Sequence, residues 1–267
     1  MREPSVAVAI PAFNEADGIG DFVREIDAVL APHAGELMLV VADDASTDGT
    51  SEVLERLRPE LSGRLEVLRA SSNRGHGPTL TSAYRRALEL GAEYVLQVDG
   101  DGQFHGSDLR RMLVLLRDDA HAVSGVRRFR QDPWFRMVMT RFVRLYMRRS
   151  FGVTGRDPNC PLRGYDASVL RELLPLVPAD SLVPNLYLTV LASRRGLALL
   201  EVDVSHRVRR GASVEGSGLG RSGSPVPWRL VRFSLAALRE SRRFHAAMDT
   251  PGWALDTPVW ARSWAGS

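Results

Sequence analysis

A doubly wound α/β fold on a mostly parallel sheet is the architecture this sequence predicts, and three features predict it. Short apolar runs alternate with longer amphipathic patterns through the first half of the chain. Polar clusters (Asn14-Glu15, Asp43-Asp44, Asn73, and Asp99 to Gln103) fall where those apolar runs end. Ligands of such sheets sit outside the carboxyl ends of the strands. Finally, 267 residues with 44% hydrophobic content can bury a substantial core without staples.

The elements follow in order. SVAVAI, Ser5 to Ile10, reads as a buried strand, and Asp17 to Leu30 has the three- and four-residue apolar spacing of a helix. Leu37 to Ala42 is a second strand, Gly49 to Arg58 a helix, and Leu65 to Leu68 a short third strand. Gly77 to Leu90 reads as a helix, Tyr94 to Val98 as a strand, Asp108 to Leu116 as a helix, and His121 to Ser124 as a strand. The second half is different. Pro133 to Phe151 is a basic, apolar helix, followed by the Gly/Pro-broken stretch VTGRDPNCPLRGYD. Leu170 to Leu174 and Asn185 to Ser193 read as helices, and Leu197 to Val204 as a strand. Gly211 to Ser224 is Gly/Ser-rich and reads as a mobile loop. Pro225 to Met248 forms a last basic helix, and the tail after Thr250 has no clear pattern.

Composition narrows the classes. The single Cys160 excludes an intrachain disulfide, and the absence of CxxC or Cys/His clusters argues against structural zinc. A reducing, cytoplasmic setting is the expectation. The opening MREPSVAVAIPAFNE lacks the apolar core of a signal peptide, and no apolar stretch approaches the ~18–20 residues of a membrane span. The net charge of +3 comes from arginine alone, since the chain contains no lysine. Modest positive charge suits an anionic partner without naming one.

Three motifs carry chemistry. In QVDGDGQF, Gln97 to Phe104, two carboxylates leave a strand end with Gly100 between them, so both can turn to one cation. Magnesium and manganese are commonly held by one or two carboxylates plus substrate phosphates. Gln103 can add an amide oxygen or orient a metal-bound water; a plain Asp/Gly surface turn is the bland reading. In VVADDASTDGT, Asp43 and Asp44 end a strand, and Ser46, Thr47 or Asp48 can cap the next helix. A carboxylate there can accept hydrogen bonds from a nucleobase or ribose. In PAFNEADG, Glu15 is placed for a ribose contact, while Asn14 and Asp17 shape the turn.

Taken together, PAFNE, DDASTDGT, NRGHG and DGDGQ, in this order and spacing, resemble the family 2 glycosyltransferases with the GT-A fold. Among these the chain is most similar to the dolichyl-phosphate or polyprenyl-phosphate branch, over about Val6 to Ser213. The resemblance implies a nucleotide-diphosphate sugar donor (UDP- or GDP-linked), with Pro11, Phe13, Glu15 and Asp44 lining the nucleoside. It implies Mg2+ or Mn2+ on Asp99, Asp101 and Gln103, and phosphates approached by Arg127. Asp43, Asn73, Gly77 and Gly100 join the donor-contacting set, with Arg74 and Gly75 beside them. Ala45 stands where a Gly is common, a departure read as harmless. In HRVRRGASVEG, Arg209 and Arg210 crowd Gly211, where they read either as catalytic arginines of a Gly-rich lid, holding the leaving diphosphate, an acceptor phosphate or both, or as loop arginines that merely aid solubility; Val214 stands where the phosphate-acceptor branch has lysine. Asp157 matches an acidic position on the acceptor side; it would act as base for a hydroxyl acceptor, whereas a phosphate needs none. Its other reading is a loop carboxylate paired with Arg156 or Arg163.

The expected organisation is a catalytic domain over 1–210, a loop over 211–224, and a basic helix and tail over 225–267. The expected reaction is a metal-dependent, inverting sugar transfer, with polyprenyl phosphate as the favoured acceptor. A soluble small-molecule acceptor, or a nucleotide-sugar binding module without turnover, are the rivals. Nucleic acid is not an expected partner, because acidic strand ends repel phosphate unless metal is present. Arg136, Arg144, Arg148 and Arg149 interleave with Phe135, Met139, Phe142 and Tyr146, and Leu230 to Met248 has the same character. Such helices either lie at the inner membrane face, pack on the sheet with their arginines in water, or form a homodimer contact.

Overall fold

The computed structural model describes residues 2–127, 134–158, 160–197, 199–205, 207 and 228–248, with side chains of 134–140 and 228–231 left out. The described strands are β1 (Ser5–Ala12), β2 (Glu36–Asp43), β3 (Arg64–Arg69), β4 (Tyr94–Gln97), β5 (Ala122–Arg127), β6 (Arg163–Asp166) and β7 (Leu199–Val204). The helices are α1 (Ile19–Leu30), α2 (Thr50–Leu57), α3 (His76–Glu89), α4 (Gly106–Arg117), α5 (Trp134–Phe151), α6 (Ala167–Leu173), α7 (Pro184–Arg194) and α8 (Trp228–Met248). They make one sheet of order β3-β2-β1-β4-β6-β5-β7, parallel except for β6.

The central strands have no polar face because both faces are covered. Along β1, Val6, Val8 and Ile10 enter one core while Ala7 and Ala9 enter the other. Along β2, Leu37, Leu39 and Val41 oppose Met38, Val40 and Ala42 in the same way. Helices α1, α2 and α4 cover the first side. The apolar stripe of α1 (Ile19, Phe22, Val23, Ile26 and Leu30) is fully buried there. Burial of each such side chain contributes about 1.5–3 kcal/mol before chain entropy is counted. The second side holds α3, α6 and α7, with Phe151 of α5 and Phe244 and Met248 of α8 joining the same core. The basic helix α8 therefore packs into the core on this side of the sheet.

β6 is the element the sequence hid. It lies in the stretch read as irregular and inserts antiparallel between β4 and β5. RGYD has no apolar run, and its Arg163 is fully buried. That guanidinium donates to the carbonyls of Cys160 (3.1 Å) and Pro158 (2.7 Å) and to Thr189 Oγ1 (2.7 Å). A residue that pattern assigns to solvent is thus an internal brace.

Candidate active site

The carboxyl ends of β1, β2 and β4 bring the acidic motifs together. Pro11, at the end of β1, is buried, and its carbonyl accepts the Gly100 N–H at 3.1 Å, so the PAFNE and DGDGQ turns touch. A side chain at Gly100 would meet that same carbonyl at 3.1 Å. Phe13 is half-buried and Glu15 is buried, with its N–H donated to Thr50 Oγ1 at 2.9 Å. Asn14 adopts a left-handed φ of 53° and links to the second motif: its N–H donates to Ser46 Oγ, and its Oδ1 accepts the Thr47 N–H. Asp48 completes the clasp by accepting from Ala16 N–H and from Thr50. Burial works to raise the Asp48 pKa, but these hydrogen bonds outweigh it and hold it below the ordinary value.

The two adjacent aspartates divide their work. Asp43 accepts from Ser46 N–H and from Ser51 Oγ, so both its oxygens serve the turn into α2. Asp44, 3% exposed, accepts from the N–H groups of Arg74 (2.7 Å) and Gly75 (2.8 Å). It therefore fixes the lead into α3, where Gly75 has φ 90°. Asn73 and Arg74 are exposed there, and Arg74 pairs with Asp180 at 2.7 Å. A pocket of about 270 Å³ opens beside this loop, lined by Asp43, Leu68, Arg69, Ser71, Arg74 and Thr79. Gly77 has a packing reason: a Cβ would stand 1.8 Å from the Ser181 carbonyl oxygen.

His76, the first residue of α3, faces three carboxylates. Its Nε2 lies 2.9 Å from Asp99 Oδ1. The His76 side chain is half exposed, and Asp99, Asp101 and Asp44 together outweigh its partial desolvation and hold its pKa above the usual value. These groups form a local concentration of negative charge at a helix start.

Asp99 is also oriented from behind. Gln97 Nε2 donates to Asp99 Oδ1 at 3.2 Å, and Gln97 Oε1 accepts from Asn185 Nδ2 at 3.0 Å. Tyr84 OH donates to Asn185 Oδ1 at 3.0 Å, and Thr189 joins α7 to Arg163. Asp101 is held by the Gln103 N–H at 3.1 Å. Gln97 stood inside the QVDGDGQF motif; nothing in the linear pattern singled out Asn185.

The loop suits a divalent cation by the chemistry of its donors. Two carboxylates one residue apart supply hard oxygen ligands of the kind that magnesium and manganese combine with substrate phosphates. Among the described residues no three His, Cys, Asp or Glu side chains form a closed cage. Asp99 and Asp101, with Gln103 beside them, would hold the ion. When bound, it would neutralise charge on a leaving diphosphate.

Asp157 is paired with Arg127, not with Arg156 or Arg163. Arg127 Nε and Nη2 donate to its two oxygens at 2.8 and 3.1 Å, with both side chains largely buried. Arg156 instead pairs with Asp203 at 2.9 Å. Cys160 is buried near this pair, and burial pushes its thiol up to about 12, which leaves it an inert packing group. Arg209 and Arg210 lie outside the described residues.

Comparison with known proteins agrees with this layout. The glycosyl transferase family 2 pattern matches residues 7–174. The undecaprenyl-phosphate 4-deoxy-4-formamido-L-arabinose transferase of Edwardsiella ictaluri is 24% identical over 204 residues, covering 76% of this chain and 60% of that protein. Its counterpart in Sodalis glossinidius is 22% identical over 209 residues, covering 78% and 62%. The chain thus spans less than two thirds of those relatives' length. Glucosyl-3-phosphoglycerate synthase of Mycobacterium tuberculosis, crystallised with Mn2+, UDP and glucosyl-3-phosphoglycerate, superposes with a TM-score of 0.64 at 18% identity, covering 91% of this chain and 80% of that one. The same enzyme with Mn2+, UDP and phosphoglyceric acid gives 0.65 at 16% identity over 94% and 80%. That likeness establishes the GT-A fold. Fold, strand-end acids and matched span agree: the chain belongs to glycosyl transferase family 2.

Proposed function

We propose that this chain transfers a sugar from a UDP- or GDP-linked donor to a polyprenyl phosphate, with Mg2+ or Mn2+ and with inversion. The observation that carries the reading is the meeting of the DGDGQ and DDASTDGT motifs at the start of α3, where Asp99 lies 2.9 Å from His76 Nε2 and Asp44 accepts the Gly75 N–H at 2.8 Å. Pro11, Phe13, Glu15 and Asp44 hold the nucleoside, with Asn73, Gly77 and Gly100 shaping the backbone around the diphosphate. The metal's chemistry is to neutralise charge on the diphosphate as the bond to the sugar breaks. An oxygen of the acceptor phosphate attacks the anomeric carbon from the face opposite the leaving diphosphate. The glycosidic C–O bond breaks as the new one forms, which inverts the centre. No base is required, because that oxygen is already anionic near neutral pH.

The Asp157–Arg127 pair favours a phosphate acceptor over a hydroxyl. Both Asp157 oxygens accept from Arg127, so use of Asp157 as a base would require opening a buried bidentate pair. Arg127 then acts by holding this wall of the site close to the phosphates, with Arg209 and Arg210 as further phosphate ligands. Undecaprenyl phosphate, the acceptor for which the relatives are named, supports the same choice. The partner surface is the inner face of a membrane, where such an acceptor is collected.

The test is a thermal-shift panel of nucleoside diphosphates with and without Mn2+, followed by transfer assays on polyprenyl phosphate. A diphosphate stabilising the protein only with Mn2+, and loss of turnover in Asp101→Asn with the fold intact, are the expected results. Full activity in EDTA rejects the metal assignment. Transfer only to a soluble alcohol rejects the acceptor.

A further inference from the structure

We propose that Arg207 is a positioning residue for the metal-binding loop, acting through the backbone after Asp101; the inference rests on the metal-dependent reading above. Arg207 follows β7 and lies next to the two arginines that the sequence pattern favours, yet its contacts are of another kind. Its own N–H donates to the Gln103 carbonyl at 2.9 Å. Its Nε donates to the Gly102 carbonyl at 2.6 Å, and its Nη2 to Glu25 Oε2 at 2.9 Å. Nη1 lies 3.1 Å from His105 Nδ1, which must accept because a guanidinium only donates. The plane also lies over Phe22, 5.8 Å from its ring centre.

These contacts converge on three residues of one turn. Gly102 has a left-handed φ of 67°, a conformation that lets the chain reverse directly after Asp101. The Gln103 N–H donates to Asp101 Oδ1, and the other side of Gln103 is held by Arg207. The orientation of the Asp101 carboxylate thus depends on a peptide that Arg207 anchors. Glu25 makes the anchor rigid, because its other oxygen accepts the Gly106 N–H at the start of α4. Arg207 and Glu25 side chains are only 20% and 21% exposed, so the pair is shielded from much of the solvent screening that weakens surface ion pairs. Lysine could not replace it, since one ammonium cannot reach a carbonyl, a carboxylate and an imidazole in one plane.

Outer-shell partners of metal ligands typically govern metal affinity by about 10- to 100-fold. Mn2+ affinity in the presence of saturating UDP or GDP, measured by calorimetry or by the Mn2+ paramagnetic resonance signal, is therefore the readout. Arg207→Ala should weaken Mn2+ binding by about that factor, while uridine or guanosine binding without metal stays within about twofold. Arg207→Lys should fall between Arg207→Ala and the parent. A folded Arg207→Ala protein with unchanged Mn2+ affinity overturns the proposal, as does equal weakening of nucleoside and metal binding, which would mark a merely structural brace. Should Arg207→Ala fail to fold, Glu25→Gln removes the anchoring charge and is expected to weaken Mn2+ several-fold; no change there overturns the proposal equally. Parent protein that binds neither Mn2+ nor the metal-dependent diphosphate overturns the functional reading itself, a result distinct from a variant that matches a metal-binding parent.

Discussion

Ala45 shows how one residue can read as neutral in sequence and strained in structure. It sits directly after Asp44 with φ 60°, in the left-handed region where a Cβ costs about 1–2 kcal/mol. The departure from glycine read as harmless has a physical consequence. Glycine at this position would relieve the strain but enlarge the entropy of the unfolded chain by about 0.4–1 kcal/mol. Ala45→Gly is therefore expected to stabilise the protein by roughly 0.5–1 kcal/mol, read as a higher urea midpoint with an unchanged slope. A lower midpoint would show that the turn bears no such strain. Within the acid cluster, Asp44, Asp99 and Asp101 stood out in the sequence as acids at strand ends, and all three act electrostatically on His76, with Asp99 in direct contact. Asp43 was legible as an acid but not as a turn residue, since only the fold shows Ser46 and Ser51 taking both its oxygens.

Among the elements, those with a single repeating pattern were read closely. β1, β2, α1 and α3 lie within two residues of where their apolar spacing put them. β6 was missed for a physical reason. It is four residues long, carries Arg and Asp, and owes its place to its neighbours β4 and β5 instead of to its own hydrophobicity. Arg163 is the price of that arrangement and also its lock. Arg163→Met would fill similar space but leave the Pro158 and Cys160 carbonyls and Thr189 Oγ1 without their donor. We expect a loss of about 3 kcal/mol or more, by analogy with removal of one member of a buried charged network. Urea unfolding measures it directly; a midpoint equal to the parent's would mean that the loop 157–160 is held by other contacts. Helix α7 illustrates the same limit, because Asn185 meets Gln97 only after the chain has crossed the sheet.

At the scale of the molecule, the two arginine-rich helices α5 and α8 are in contact with each other. Tyr146 of α5 bonds Ser241 of α8 at 3.1 Å, and Phe151 meets Phe244. Phe142 and Leu145 on α5, and Phe233 and Leu235 on α8, are each about half exposed, amid exposed Arg141, Arg144, Arg148, Arg232 and Arg239. Among the described residues no helix is long and apolar enough to cross a membrane. Apolar side chains among cations suit the interface of an anionic bilayer. Sedimentation with phosphatidylglycerol vesicles should therefore succeed at low salt, weaken as salt rises, and weaken further in Phe142→Ser with Phe233→Ser. Equal recovery with neutral and anionic vesicles, or none with either, counts against membrane engagement by these helices. Sequence alone could not choose among membrane, water and dimer faces for them, since the pattern of arginines and aromatics is the same in each.

The strand order has a consequence for how the chain is made. β5 is synthesised before both of the strands that flank it, β6 and β7. A chain emerging from the ribosome can assemble β1 to β4 as soon as they appear, but β5 has no seat until residues 163–166 arrive and no second neighbour until 199–204. At about 5–20 residues per second, β5 waits several seconds with its hydrogen-bonding edges open. Its sequence, AVSGVR, is short and carries a glycine and a terminal arginine, features that make it a poor template for pairing with another nascent chain.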